Sequence, residues 1–589
     1  MQAGVLLPKS PFMQTLENLL NLQFIFWSGW IVSAAVFLCF VIGLILDVYS
    51  KKKIFLQSAA TVLSHFNSSK IGFSRASMLI AFALFSVAFI NRYWLSRFIF
   101  GPWFFADEAL EDCICAFQLS RGESIWGGNT AYLVWLSYLI AYRLFGFGVE
   151  VARLTNIFFF AISVVIVYWA LHRPFGQQVC WFVVGMMLLS SPLITHSMYA
   201  TSITFSLLPT AMILWILTRP LSWGSAGFLG IVPVAGLYLY PGAFLTGICL
   251  ILFHAICFYR SWTWRTRRIL LVTFAVSGGL AYRFRLALSG NSNWKHSWKQ
   301  WAGGHMSFEQ IGQNSIVMLK DTFWESLSFN ALNSGAPYID TVIVGLLIIG
   351  VVSSLIVAKS QPLMFDRKWI WISLLSFLGS VFLSGLAAHY PGVRRIFSSL
   401  PLLFLIAGLG LKHFWQWKAF RPFLGGAVIV CFSLVASRSY AIGQKDWPTL
   451  RYFSRLPDFM VGARETLLQT ANSQKNIVII AYDSNQWGGQ LYRCALSLDD
   501  NLNQHFQSVI EIPRLRLNQR QNLQGEFVLF ANELFSDDRL QDIFGRPTTS
   551  SKLRKFAESP KPDELIAIYE FTGDSAPSGD TGRTRSPNH

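Results

Sequence analysis

The sequence predicts a polytopic α-helical membrane protein that ends in a small extracytoplasmic α/β domain. Of its 589 residues, 53% are hydrophobic and only 13% are charged, and the mean hydropathy is +0.43. A soluble chain carries about 25% charged residues, so this composition is typical of a chain that lies largely in a bilayer. The net charge of +17 does not indicate nucleic acid as a partner, because Lys and Arg cluster in short loops between apolar segments.

Apolar segments of about 17 to 25 residues can cross roughly 30 Å of hydrocarbon as helices. About twelve such spans are expected, at residues 23–47, 76–98, 151–171, 178–195, 200–218, 225–240, 242–259, 268–288, 340–358, 369–387, 395–411 and 423–440. We interpret Tyr238-Leu239-Tyr240-Pro241-Gly242 as a simple break between two spans. The apolar stretch 132–147 is short, so at about 106–148 we expect interfacial helices that lie along the membrane surface.

The basic residues fall on alternate loops, which places those loops on one side of the membrane. They stand at residues 51–53, 172–173, 219, 260–268, 359–368 and 412–421. The positive-inside rule makes this side cytoplasmic. The region around Asp107, the Trp-rich loop from Gly290 to Tyr338, the turn from His389 to Arg395 and everything after about Lys445 are then extracytoplasmic.

The C-terminal part of the chain is polar and predicts a separate domain. Buried strands are expected at 476–483, 526–530 and 565–569, with helical stretches between them. We therefore divide the chain into a transmembrane domain at 1–444, a soluble α/β domain at 445–571 and a disordered tail at 572–589, which is rich in Gly, Ser, Pro and Thr.

Two adjacent carboxylates, Asp107 and Glu108, follow the second predicted span. A carboxylate at the mouth of an apolar cavity is partly desolvated, which increases its proton affinity and suits it to act as a general base. The alternative is a helix N-cap, in which these acids open a first turn with Glu111 and Asp112. The two roles are compatible.

The pattern around this pair resembles a known family. A span, the Asp-Glu pair, Ala116 to Leu119, Gly122, Trp126-Gly127-Gly128, Leu144-Phe145-Gly146 and Glu150 to Leu154 are similar to the GT-C glycosyltransferases. Within them the resemblance is greatest to protein O-mannosyltransferases and to the aminoarabinose transferases that modify lipid A, and it is strongest over residues 76–220.

The resemblance implies a glycosyltransferase that takes a sugar from a polyprenyl-phosphate donor. The acceptor would be the hydroxyl of a lipid, a glycan or a protein on the extracytoplasmic side. Asp107 would be the base, and Glu108 would orient the acceptor or bind a divalent metal. The family places another acid in the next outer loop, but residues 195–202 contain none. His196 stands there, and a lone histidine at a helix end is more often a satisfied surface residue.

The departing lipid phosphate needs a cation nearby, because charge that develops in a dry site requires a preorganised partner. Arg394 and Arg395 are the first candidates, and with His389 and Tyr390 they resemble a pattern that relatives carry before a late span. Arg153 is the next candidate for binding the donor, followed by Arg283 and Arg285. The alternative is that such arginines only extend to lipid headgroups.

Three further alternatives stay open from the sequence. The Trp and Lys residues of the loop after Gly290 suit either a cover for the donor or an anchor at headgroup depth. A lipid or polysaccharide transporter or flippase would also have about a dozen spans, and the missing acid is compatible with an inactive GT-C scaffold subunit. The expected location is a bacterial inner membrane.

Overall fold

A computed structural model of the chain describes fourteen segments. They are 75–99, 132–146, 148–301, 308–324, 338–356, 361–386, 393–415, 421–454, 476–481, 509–513, 527–531, 536–544, 550–554 and 566–571. The helices up to Arg451 belong to one compact unit, and the residues from Tyr452 onward belong to a second.

The described part of the first unit consists of helices. They are α1 (Arg75–Ile99), α2 (Tyr132–Phe145), α3 (Val149–Phe175), α4 (Gln177–Leu189), α5 (Ser191–Met198), α6 (Ser202–Phe205), α7 (Leu207–Leu217), α8 (Trp223–Leu239), α9 (Pro241–Cys257), α10 (Trp264–Trp301), α11 (Phe308–Phe323), α12 (Thr341–Ile356), α13 (Gln361–Leu386), α14 (Leu400–Trp415) and α15 (Arg421–Ser454). Short 3₁₀ helices stand at Tyr259–Ser261 and Val393–Ser399. We call the second of these the arginine helix, because it contains Arg394 and Arg395.

The helices are those of a multi-pass membrane protein. Within the described residues, five stretches are long and apolar enough to cross a membrane, namely Ala76–Arg97, Val149–Phe175, Met364–Leu386, Arg394–His413 and Gly425–Ile442. The bent pair α4 and α5 would make a sixth, and α8, α9 and α12 are apolar but shorter. The total of twelve spans stays a prediction.

At three places the helices differ in shape or length from the predicted spans. The segment 178–195 is not one straight span, because α4 ends at Leu189 and α5 leaves it at 57°. Helix α10 continues to Trp301, into the part expected to be a loop, and α15 continues past residue 445 to Ser454. Hydropathy marks the part of a helix that lies in hydrocarbon, whereas the helix itself continues through polar residues beyond it.

Helix α14 lies at the centre of the bundle, and α1 lies at its edge. In the most apolar part of Arg394–His413, which contains most of α14, 94% of the residues are buried. In the most apolar part of Ala76–Arg97 in α1, only 22% are buried. Helices α12 and α14 pack with their backbones close together, since a Cβ atom added to Gly410 would lie 2.8 Å from the Cα atom of Gly350. Membrane helices use small residues in this way to gain van der Waals contact.

The alternating directions of the helices sort the polar residues into two ends of the bundle. At one end, which we call the basic end, Arg173 and Arg219 lie within electrostatic range of each other. Lys412 pairs there with Asp366. The ring of Phe175 packs against that of Phe365 with the centroids 5.5 Å apart, so Arg173, Arg219 and Lys412 share this end. The opposite end contains the start of α3, the α4–α5 break and the arginine helix.

The second unit contains a five-stranded sheet. Its strands are β1 (Asn476–Ala481), β2 (Val509–Pro513), β3 (Phe527–Ala531), β4 (Ser550–Arg554) and β5 (Ile566–Phe571), and the order across the sheet is β2-β1-β3-β5-β4. β1 pairs in parallel with β2 and β3, and β5 pairs antiparallel with β3 and β4. Helix α16 (Asp537–Phe544) lies between β3 and β4 in the chain.

The three strands expected from the sequence are present as β1, β3 and β5. The two that the sequence did not indicate, β2 and β4, are the outer strands of the sheet. Their sequences, VIEIP and SSKLR, contain charged residues. Charged residues are typical of edge strands, where they discourage pairing with other chains, and they conceal the alternation that marks a half-buried strand.

Candidate functional site

Four of the residues selected from the sequence lie outside the described residues. They are Asp107, Glu108, His389 and Tyr390, and their roles stay predictions. Arg394, Arg395 and Arg153 are described, and the site is built from the elements around the first two.

Polar side chains hold the arginine helix against two neighbouring spans. Thr246 Oγ1 of α9 lies 2.8 Å from Ser398 Oγ, and Ser380 Oγ of α13 donates to the same threonine oxygen at 3.1 Å. All three residues are buried. Hydrogen-bonding side chains between membrane helices fix their relative positions, so Arg394 and Arg395 stand on a backbone that two spans hold in place.

The start of α9 lies unusually close to the arginine helix. A Cβ atom on Gly242 would overlap the carbonyl oxygen of Arg395, so only glycine allows this approach. The same chain reversal brings Tyr240 within electrostatic range of Arg395. Residues 238–242 do form the expected break between α8 and α9, and this turn also lies against the arginine helix.

Four further side chains gather at the two arginines. Arg394 lies within electrostatic range of His196 and Tyr338. Tyr338 in turn lies within the same range of Tyr199 and Tyr240. We call this set the arginine–tyrosine cluster; its members are His196, Tyr199, Tyr240, Tyr338, Arg394 and Arg395.

His196 is buried, contrary to the expectation of a surface histidine. It is 4% exposed, its Nδ1 atom lies 2.7 Å from the hydroxyl of Tyr199, and its ring packs edge-on against Phe397 with the centroids 5.2 Å apart. The helix ends at Met198, and side chains of neighbouring helices donate hydrogen bonds to the backbone carbonyls around this end. His196 thus links the α5 segment to the arginine helix.

One asparagine donates hydrogen bonds to three of the backbone carbonyls at the end of α5. Asn156 Nδ2 of α3 donates to the carbonyl oxygens of His196, Ser197 and Tyr199 at 3.1, 3.3 and 2.6 Å. Thr204 Oγ1 adds a bond of 2.6 Å to the His196 carbonyl. Non-helical backbone at membrane depth requires such partners, because hydrocarbon offers none.

Arg153 is buried at 5% exposure and lies one turn before Asn156 on α3. This confirms that it stands just inside a helix of the bundle. Its role towards the donor stays a prediction. Arg283 is exposed, and the side chain of Arg285 is outside the described part of α10.

Near the cluster, the described residues also include two buried carboxylates that the sequence reasoning missed. Asp321 and Asp340 flank Tyr338, whose backbone N–H donates to the Asp321 carbonyl at 2.9 Å. The carboxylate of Asp340 pairs with Arg438 Nη1 of α15 at 2.6 Å. An acid directly before an apolar span, as in Asp340-Thr341, was the signal that could have indicated the second of them.

The divalent metal expected beside Glu108 can be tested only in part. Among the described residues, no three His, Cys, Asp or Glu side chains come together in a way that could hold a metal ion. Because Asp107 and Glu108 lie outside these residues, metal binding by that pair stays a prediction.

The fold is similar to that of solved membrane glycosyltransferases, although no family model and no curated protein matches the sequence. The aminoarabinose transferase ArnT from Cupriavidus metallidurans bound to undecaprenyl phosphate is 12% identical, with a TM-score of 0.52 over 84% of this chain and 97% of that one. The apo form of the same protein gives a TM-score of 0.51 at 12% identity, over 84% of this chain and 98% of that one.

A third structure, the apo oligosaccharyltransferase of Archaeoglobus fulgidus, has a TM-score of only 0.40 at 9% identity and covers 71% of this chain and 63% of that one. The argument therefore rests on the two ArnT structures. At 12% identity such a likeness establishes the fold. The chain has the GT-C fold that its sequence resemblance predicted.

Proposed function

We propose that this protein is a membrane glycosyltransferase that moves a sugar from a polyprenyl-phosphate donor to an acceptor hydroxyl on the extracytoplasmic side. The main support for the proposal is the arginine–tyrosine cluster. The chain that forms it has a fold similar to that of ArnT, which was solved with undecaprenyl phosphate bound. The acceptor belongs to a lipid, a glycan or a protein.

The cluster suits a lipid phosphate because it concentrates hydrogen-bond donors. Each guanidinium of Arg394 and Arg395 has five N–H donors in a planar fork, and the phenols of Tyr240 and Tyr338 can add O–H donors. Bonds between such groups and phosphate oxygens are stronger than neutral ones. In a site partly closed to water they also gain from the lower dielectric.

In the proposed reaction the acceptor oxygen attacks the anomeric carbon of the sugar. The bond from that carbon to the phosphate oxygen breaks, and its electron pair leaves with the lipid phosphate beside Arg394 and Arg395. Asp107 takes the acceptor proton, and Glu108 orients the acceptor or holds a divalent metal. A single displacement of this kind inverts the configuration of the sugar.

The remaining assignments belong to the same proposal. His389, Tyr390 and Arg153 would contribute to binding the donor. The twelve-span arrangement rests on the apolar segments, and the extracytoplasmic position of the C-terminal α/β domain rests on the alternation of basic loops. The proposed location is a bacterial inner membrane.

The test is the transfer of radiolabelled sugar in membranes supplied with a mixed polyprenyl-phosphate donor pool. We expect the wild type to move label into a lipid, glycan or protein fraction, and Asp107→Asn to lose this activity while it stays folded. Asp538→Asn is the matched control, because Asp538 is exposed on α16 of the second unit, and it should transfer as the wild type does.

Two results would contradict the proposal. If the wild type transfers no label to any fraction, a transporter, flippase or inactive scaffold becomes the better account. If Asp107→Asn transfers normally, the protein is an enzyme whose base is another residue, and the acids at 107 and 108 are a helix cap.

A further inference from the structure

Arg92 is a buried arginine that the proposed reaction does not use. It lies about two turns before the end of the apolar helix α1, and none of its surface is exposed. An ionisable residue inside a membrane span is rare unless it serves a purpose and has partners. The purpose follows from the groups to which Arg92 binds.

Two of its partners are carbonyl oxygens at the end of α4. Arg92 Nη2 donates to Leu188 O at 2.8 Å and to Met187 O at 3.4 Å. In a continuous helix Leu188 O would accept from the N–H of residue 192, but residue 192 is proline and has none. Arg92 therefore replaces the donor that Pro192 lacks. Its positive charge also suits the negative end of the α4 dipole.

A third partner lies on the other side of the break. Arg92 Nε donates to Ser197 Oγ of α5 at 2.8 Å, and Ser96 Oγ, one turn further along α1, donates to the carbonyl of Met198 at 2.9 Å. Phe160 of α3 packs against the guanidinium, with the ring centroid 4.9 Å from Cζ. One planar fork thus joins both halves of the bent helix.

The bend that Arg92 joins carries two members of the arginine–tyrosine cluster. His196 lies near the end of α5, and Tyr199 directly follows that helix. The two side chains contact each other, and the ring of His196 also packs against Phe397 of the arginine helix. A straight helix through residues 188–198 would leave Leu188 O without a backbone donor, because Pro192 has no N–H. It would carry His196 and Tyr199 in another direction.

We propose that Arg92 is a positioning residue for the donor-phosphate site. It holds the α4–α5 bend so that His196 and Tyr199 stand beside Arg394. The inference rests on the proposed function. Arg92 would affect the binding of the lipid donor without contacting the donor.

The test combines Arg92→Met with Pro192→Ala in the full-length protein. Arg92→Met leaves Leu188 O without a donor, so amide hydrogen exchange across residues 186–201 should increase. The KM for a polyprenyl-phosphate sugar should rise about tenfold or more, because small displacements of a positioned group have effects of this size. Arg97→Met is the control on the same helix, since its ion pair with Glu150 is exposed, and it should alter neither quantity.

The double variant separates positioning from stabilisation. Pro192→Ala supplies the missing N–H, so in Arg92→Met/Pro192→Ala the exchange should return towards the wild-type rate. The KM should stay high, because the repaired helix no longer needs to bend. A merely structural arginine would give the opposite result, in which KM recovers together with protection.

The outcomes that overturn the inference are distinct from failure of the proposed function. If the wild type transfers sugar and Arg92→Met keeps the wild-type KM, Arg92 does not position the site. Recovery of KM in the double variant likewise overturns it. If the wild type transfers no sugar from any donor, the proposed function fails and this inference fails with it.

Discussion

The two ends of the helical bundle contain different sets of buried charged residues. At the basic end, the buried carboxylate of Asp366 lies 2.7 Å from Lys412 Nζ and 3.7 Å from His413 Nε2, and His413 is bonded to Ser353. At the opposite end, the arginine–tyrosine cluster contains two guanidiniums, and beside Tyr338 the buried carboxylate of Asp340 pairs with Arg438 Nη1 at 2.6 Å.

The proposed function gives the two ends different roles, one in holding helices together and the other in receiving the lipid phosphate. Asp366, Ser353 and Lys412 belong to α13, α12 and α14, so the charges of the basic end are matched within the bundle and join three spans. The cluster contributes two guanidiniums and three phenols, and the proposed function assigns these groups to an anionic lipid phosphate. Substitutions at the basic end should therefore change stability, and substitutions in the cluster should change the use of the donor.

Lys412→Met should have the largest effect. It leaves Asp366, of whose side chain 3% is exposed, buried without its ammonium partner, and breaking a buried pair in this way costs about 3 kcal/mol. Thermal unfolding in detergent should show a clearly lower midpoint, whereas the folded fraction should keep the wild-type KM for the donor. Arg265→Met, an exposed basic residue at the same end, is the control. A Lys412→Met protein as stable as the wild type would show that Asp366 is not held by this pair.

Gly242→Ala should have the next largest effect. The added methyl group would overlap the carbonyl of Arg395, so the arginine helix must shift, at a cost of about 2 kcal/mol by analogy with overpacked cores. Sugar transfer should fall more than stability does. Gly279→Ala is the matched control, since nothing lies within 4 Å of its Cβ position and a helical alanine is favoured by about 0.5–1 kcal/mol. Equal behaviour of the two variants would contradict the close approach of Gly242 to Arg395.

Tyr338→Phe should have a moderate effect that is confined to the donor. It removes only the phenol oxygen of a cluster residue, and a hydrogen bond to a charged group contributes about 1.5 kcal/mol, which corresponds to about a tenfold rise in KM. Tyr259→Phe removes a phenol that is 61% exposed at the other end and should leave KM unchanged. If the two variants give the same KM, the Tyr338 hydroxyl does not contact the donor.

Glu150→Gln should have the smallest effect. Glu150 pairs with Arg97 at 2.7 Å, but the two side chains are 53% and 54% exposed, and exposed pairs contribute little. The unfolding midpoint and the KM should both match the wild type. A large loss of stability would show that this ion pair contributes strongly to stability although both side chains are exposed.

The sequence predicted the parts of the fold that depend on composition and periodicity. Apolar stretches located the helices of the bundle, and the alternation of basic loops predicted that Arg173, Arg219 and Lys412 share an end. The GT-C resemblance was likewise confirmed as a fold, and three of the five strands were found at their expected positions. Hydropathy did not reveal the α4–α5 break, because Ser190-Ser191-Pro192 stands in an otherwise apolar stretch and the bend is a local backbone effect.

Within the site, the sequence indicated Arg394 and Arg395 because two arginines at the end of a span are conspicuous. The other members of the cluster come from segments far apart in the chain, and no pattern in a single sequence brings Tyr240, Tyr338 and His196 together. Arg92 was overlooked because one arginine hardly changes the hydropathy of a 25-residue helix. Its partners, the carbonyls of Met187 and Leu188, are backbone atoms that leave no trace in residue identities.

The most direct test of the account is the binding of undecaprenyl phosphate to the purified full-length protein, compared with undecaprenol, which has the same tail without the phosphate. The wild type should bind the phosphate form more tightly than the alcohol. Arg394→Gln/Arg395→Gln should remove this preference and weaken binding about a hundredfold, if each charged bond contributes about 1.5 kcal/mol. Arg265→Gln at the basic end should not. Equal binding of the two lipids by the wild type, or a preference that survives the double substitution, would contradict the assignment of the arginine–tyrosine cluster as the donor-phosphate site.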